Sequence, residues 1–294
     1  MNARDGLANL GNTLEEIDAR LKTLESQPQG GGNSTITITG QNREPVVIEG
    51  KKHMMFEQCL NSVGQGIPLM MVGGAGSGKT YLGEQICTAL DIPYYYTGAI
   101  LEKQELLGYN DVNGNYVRTQ FREAWEHGGG FSWDEIDDSA PEALVAFNPM
   151  VGLNIKSGSF PDGTIDRHEN TRIIASGNTY GKGADRIYVG RTQLDGATLS
   201  RYAIVTIDYD LELEHELSCN ESWTNQVQAW RVSMNELGIR HIISPRASIN
   251  GGLMIAAGMS ENETAEFVVW QGLAEDQVSK IKSHARVTSM KAAS

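Results

Sequence analysis

At 294 residues, with 40% apolar and 21% charged residues, the chain is long enough for about two domains with full cores and has the composition of an ordinary folded protein. No stretch approaches 18 consecutive apolar residues, and a net charge of −13 opposes DNA, RNA and anionic bilayers, so neither a membrane nor a nucleic acid is an expected partner. Cys59, Cys87 and Cys219 are widely separated, and the opening MNARDGLANL lacks a basic region followed by an apolar one; reduced thiols and a cytoplasmic location are expected.

In chain order, residues 1–27 read as an amphipathic helix. Leu7, Leu10, Leu14, Ile17, Leu21 and Leu24 recur at 3-4-3-4-3 spacing, a short heptad seam that fits either self-association or docking on the protein's own body. Gly6 and Gly11 weaken its first half. The segment SQPQGGGNS (26–34, its glycine-rich part 28–34) is a flexible linker by composition. Residues 35–39 alternate Thr and Ile as a half-buried strand does, with 45–49 as a pairing candidate, and 53–63 are helical in pattern.

An apolar run over 67–72 then reads as a buried strand, and 81–90 as a helix with Leu82, Ile86 and Leu90 on one face. Between them lies GGAGSGKT (73–80), which fits the phosphate-binding pattern G-x-x-x-x-G-K-S/T. A chance match in a chain this long is on the order of one in a hundred at background glycine usage. Gly73, Gly74, Ala75, Gly76, Ser77 and Gly78 would wrap backbone N–H groups around phosphate oxygens, at the positive end of the helix opened by Lys79, Thr80 and Tyr81. Lys79 can reach the outer phosphates and the Thr80 hydroxyl can bind Mg²⁺, so ATP and Mg²⁺ are the expected cofactors.

Strand and helix signals alternate from here: an aromatic strand over 91–97, a helix over 101–107, a hairpin over 109–117 turning at Asn113-Gly114, and a helix over 121–127. Strands at 172–176 and 203–207 complete an α/β pattern with its site at the strand ends, and helical signals dominate from 211. The expected organisation is an α/β domain over 35–210, a parallel sheet with helices on both faces, followed by a helical lid and tail over 211–294.

Hydrolysis needs a metal ligand and a group that orients water. FSWDE ends a short strand 54 residues beyond Thr80, with Asp134 placed for Mg²⁺ and Glu135 for polarising the attacking water; a solvated acidic turn, continued by Asp137 and Asp138, is the plain alternative. Gly130 and Ser132 make this strand less apolar than its role would lead one to expect.

Taken together, GGAGSGKT (73–80), ELLGYNDVNGNYVRTQFREA (105–124), WDEID (133–137), FPDGTIDRH (160–168), IIASGNTYG (173–181), YVGRTQLDGATLSRY (188–202) and SPRA (244–247) resemble the AAA+ ATPases. The resemblance is to the MoxR-like branch, which includes the cobaltochelatase ATPase subunit and phage-encoded relatives. It implies a homo-oligomeric, hexameric ring with ATP held between neighbouring subunits. It further implies Asn178 as the polar sensor at the tip of the central strand, Arg201 as the arginine finger offered to the next subunit, and Arg246 as the lid's sensor arginine. Arg186 and Arg191 are rivals for the role in trans. Tyr202 stands where Phe is common, and Pro149 interrupts the helix after the acidic pair. Two hairpins, around 113–114 and over 155–166, would face the pore or one ring face, with Tyr109, Lys156 and Phe160 as candidates for substrate contact and ordinary packing as the alternative. The function implied is ATP-driven remodelling of a protein partner, such as one with a von Willebrand factor A domain. A nucleotide-switched scaffold and a nucleic-acid motor are the alternatives, and the acidic balance argues against the last.

Overall fold

The computed structural model describes residues 36–40, 43–48, 51–184 and 188–292. The expected N-terminal helix and linker, and Arg186, lie outside the described residues. The chain divides into two compact units: one of the residues up to Val72, Lys79–Gly183 and Thr192–Thr206, the other of Gly73–Gly78, Ala184–Arg191 and the chain from Ile207 onward.

In the first unit, β1 (Ile36–Gly40) and β2 (Arg43–Ile48) form an antiparallel pair, then come α1 (Phe56–Gly64), β3 (Leu69–Val72), α2 (Lys79–Ala89), β4 (Tyr94–Thr97) and α3 (Lys103–Leu107). A short pair, β5 (Tyr109–Asn110) and β6 (Tyr116–Val117), leads to α4 (Gln120–His127), β7 (Gly129–Trp133) and α5 (Pro141–Phe147). The hairpin β8 (Ser157–Phe160) and β9 (Gly163–Asp166) precedes β10 (Thr171–Gly177), α6 (Gly196–Leu199) and β11 (Ala203–Thr206). Pro149 lies in a single 3₁₀ turn, Asn148–Met150, just past α5, where a missing N–H costs least.

The main sheet is parallel, in the order β11-β3-β10-β7-β4. Every residue of β3 and β7 is buried, as strands covered on both faces require. The small residues of β7 let α2 approach: a Cβ on Gly130 would collide with the Cys87 sulfur, and one on Gly83 would touch the Ser132 hydroxyl at 3.6 Å. The polar look of this strand is therefore a packing requirement. Phe121 organises the adjoining core, its ring 4.9 Å from Phe131, 5.1 Å from Phe147 and 5.8 Å from Phe160.

The second unit adds α7 (Leu211–Ser218), α8 (Glu221–Glu236), α9 (Pro245–Ala256), α10 (Glu261–Val268) and α11 (Glu275–Ala292). Side-chain caps start three of them: Asp210 accepts the Leu213 N–H, Asn220 that of Trp223, and Ser260 forms a capping box with Glu263. Trp230 packs between Trp223 (5.8 Å) and Trp270 (4.6 Å). Arg231 and Glu214, both buried, form a two-pronged ion pair at 2.6 and 2.8 Å, and the Arg231 Nε also donates to the Ile243 carbonyl at 2.6 Å. Among the described residues no helix is long and apolar enough to cross a membrane.

Candidate nucleotide-binding site

Parallel register brings the chemistry to one edge. Gly177 lies opposite Val72, and Ala175 opposite Trp133, so the strands preceding the glycine-rich loop, Asn178 and Asp134 end at about the same level. α2 begins at Lys79, two residues before the periodicity indicates, because the last glycine-rich turn already carries the chain into the helix.

Lys79 is buried, and its Nζ donates to Asn178 Oδ1 at 3.1 Å. The Thr80 hydroxyl donates to Asp134 Oδ2 at 3.0 Å. Asp134 Oδ1 accepts from the Glu135 N–H at 2.9 Å and from the Ser176 hydroxyl, while Tyr96 OH donates to Oδ2 at 3.3 Å. Glu135 has φ +53°, a left-handed conformation that costs a non-glycine residue about 1 kcal/mol and turns the chain sharply off the strand.

Asp137 is fully buried and is no solvated turn residue. Its Oδ2 accepts from the Asn178 N–H (3.1 Å), the Thr179 N–H (2.9 Å) and the Thr179 hydroxyl (2.7 Å). Its carbonyl takes the Thr192 N–H at 2.7 Å. It thereby pins the tip of β10 that presents Asn178. A run of acids gives no hint of which one turns inward, so its long-range role had no local signal.

Within the second unit, Gly76 and Gly78 hold φ of +76° and +90°, and a Cβ on Gly73 would run into the Ile207 carbonyl. Ala75 is clamped from two sides: its N–H donates to Tyr188 OH at 2.9 Å, and its carbonyl accepts from Tyr209 OH at 3.1 Å. Burial raises the Tyr209 phenol above its ordinary pKa and keeps it a donor, while the Arg231 guanidinium lies 4.7 Å over its ring. Gly74, Tyr188, Tyr209, Arg231, His241 and Ile242 line a cleft of about 260 Å³. Arg246 is exposed on α9 with its Cγ near Gly76.

Tyr81 directs its hydroxyl to the Lys51 carbonyl at 3.2 Å. Arg201 is exposed just past α6, and Arg191 lies 5.9 Å over the Tyr188 ring. Phe160 is buried in the aromatic core, which removes it from substrate contact; Tyr109 and Lys156 are exposed.

A hydroxyl and a carboxylate in contact form the hard-oxygen donor pair that suits Mg²⁺ when phosphate oxygens and water complete its shell. Lys79 places an ammonium donor beside the neutral Asn178 amide, a pair suited to an anion. The residues present therefore fit both cofactors.

Residues 68–201 match the AAA domain of the dynein-related subfamily. That stretch is a little under half of the chain. It carries the glycine-rich loop from Gly73, the acidic pair, Asn178 and Arg201. Among solved structures, NtrX from Brucella abortus is similar at 19% identity and TM-score 0.43, over 78% of this chain and 67% of that one. NtrX from Brucella abortus in complex with ADP is similar at 15% identity and TM-score 0.48, over 92% of this chain and 61% of that one. A comparison with curated proteins gave no match. The five-stranded parallel sheet with its glycine-rich loop after β3 is that of an AAA P-loop fold, and a helical C-terminal region follows in the sequence.

Sequence reasoning passed over Tyr96, Ser176 and Asp137 in the first unit, and Tyr188 and Tyr209 in the second. Ser176 and Asp137 lie within quoted motifs but next to more conspicuous neighbours, and Tyr96 reads only as part of an aromatic strand.

Proposed function

We propose that this protein binds and hydrolyses Mg-ATP in a homo-oligomeric, hexameric ring of the MoxR-like kind and uses the cycle to remodel a protein partner. The supporting observation is the meeting of Lys79, Asn178, Thr80 and Asp134 at one sheet edge, by hydrogen bonds of 3.1 and 3.0 Å. In this reading the backbone N–H groups of residues 73–80 and the Lys79 ammonium hold the triphosphate. Thr80 and Asp134 hold Mg²⁺, which when bound neutralises charge on the phosphate oxygens. Glu135 accepts a hydrogen bond from the attacking water and takes its proton. Asn178, its Oδ1 turned to Lys79, keeps an amide nitrogen to donate to water or to the γ-phosphate. Arg201, exposed in one copy, supplies a guanidinium to the neighbour's γ-phosphate, and Arg246 acts from the lid. A von Willebrand factor A domain protein is the partner class proposed, in the cytoplasm of a bacterium or a phage-infected cell.

Glu135→Gln keeps shape and removes the base. It is expected to bind ATP as the parent does and to lose at least about 10²-fold in turnover, measured by phosphate release. Undiminished hydrolysis by that variant would refute the role given to Glu135.

A further inference from the structure

Among the described residues Asp134 is held by four donors, and three of them come from the start of α2, the acidic turn itself and the central strand: Thr80, the backbone at Glu135, and Ser176. The fourth, Tyr96, comes from β4 at the far edge of the sheet. Tyr96 lies opposite Ser132, and the Asp134 N–H donates to the Thr97 carbonyl at 2.8 Å, so β4 runs alongside the acidic turn. Side chains alternate along a strand, and Ser132, Asp134 and Tyr96 consequently share a face. Tyr96 is 44% exposed, and its hydroxyl is engaged at 3.3 Å from Asp134 Oδ2. Tyr94, two residues earlier on the same face, directs its hydroxyl to the Thr80 carbonyl at 3.4 Å, with its ring centroid 6.4 Å from that of Tyr96. Two phenols from one edge strand therefore bracket the Thr80–Asp134 pair, one on the backbone and one on the carboxylate.

We propose that Tyr96 is a positioning residue for the divalent cation. The terminal torsion of an aspartate is broad and roughly two-fold, so a carboxylate held by only one oxygen can turn its other oxygen away. With Ser176 and the Glu135 N–H on Oδ1 and Tyr96 and Thr80 on Oδ2, the plane of the Asp134 carboxylate is fixed, and Oδ2 faces the Thr80 hydroxyl before any ion arrives. Outer partners of this kind typically contribute 10- to 100-fold in metal affinity. The inference rests on the reading of Thr80 and Asp134 as metal-binding groups.

Tyr96→Phe removes the hydroxyl and keeps the ring. The full-length variant and its parent are to be titrated with Mn²⁺ in the presence of ADP, with the free ion followed by electron paramagnetic resonance, and with fluorescent ADP in the presence of a chelator. The expected result is about tenfold weaker Mn²⁺ binding with unchanged metal-free ADP affinity. Equal Mn²⁺ affinity in parent and variant overturns the proposal. So does an equal weakening of metal-free ADP binding, which would mark Tyr96 as a general structural support. Failure of the parent itself to bind Mn²⁺ with ADP would overturn the metal reading beneath it, a result that can be told apart because it appears before any substitution.

Discussion

A buried phenol without a partner costs more than the phenyl ring that would replace it. The Tyr202 hydroxyl is buried and, among the described residues, has no hydrogen-bond partner, and burial pushes its pKa well above the ordinary phenol value. The uncompensated loss of hydration of such a group costs about 1 kcal/mol or more. Tyr202→Phe is therefore expected to raise the stability of the isolated chain by about 1 kcal/mol in urea unfolding. A loss of stability would show instead that the hydroxyl is satisfied in solution. Beside it, Arg201 is exposed, so one residue of the LSRY motif serves the core while its neighbour faces outward. The same contrast holds at the acidic turn, where Asp134 is partly exposed among its donors and Asp137 is buried beneath Asn178.

Among the elements, the two hairpins are tied together through Arg122. Arg122, on α4, is 2% exposed and donates through NH1 and NH2 to Asp162 at 2.7 and 3.1 Å, and through Nε to Glu126 at 3.0 Å. Its guanidinium also lies 4.9 Å from the Tyr116 ring and 4.6 Å from that of Phe160, one from each hairpin. Asn110 adds a hydrogen bond to the Pro161 carbonyl at 3.2 Å. Asp162→Ala would leave Arg122 buried with Glu126 as its remaining carboxylate, a loss of about 2 kcal/mol. A double-mutant cycle with Arg122→Met in urea unfolding should show coupling of about 1 kcal/mol or more at pH 7; values near zero would mean that the hairpins are held independently. The guanidinium holds the Asp162 carboxyl below its ordinary pKa. A depressed folded value stabilises above the unfolded pKa of about 4, so the coupling should persist at neutral pH and fade as pH drops through the carboxylate range. Both hairpin turns were legible, since Asn113-Gly114 and Asp162-Gly163 are local signals. The residue that ties them together was not, because Arg122 and Asp162 lie 40 positions apart and nothing local marks Arg122 as buried.

At the scale of the whole molecule, the parallel sheet and the helical C-terminal region were legible because strand runs, loop glycines and helix periodicity are each local patterns. The P-loop and the acidic pair stood out for the same reason. Tyr96, Ser176 and the tyrosines around Ala75 did not, since their roles arise only when distant segments meet. One copy gathers Lys79, Thr80, Asp134 and Asn178, while its Arg201 is exposed. Head-to-tail closure of a ring would let the guanidinium of one copy complete the site of the next. If so, Arg201→Ala and Lys79→Ala proteins are each inactive, yet their defects lie on opposite sides of an interface. Mixed one to one with free exchange of subunits, about a quarter of the interfaces pair an intact P-loop with an intact arginine, and ATPase activity should recover to about that fraction of wild type. Activity in the mixture no greater than the sum of the two separate variants, with mixed assembly verified by differently tagged copies, would place the essential guanidinium within the same chain.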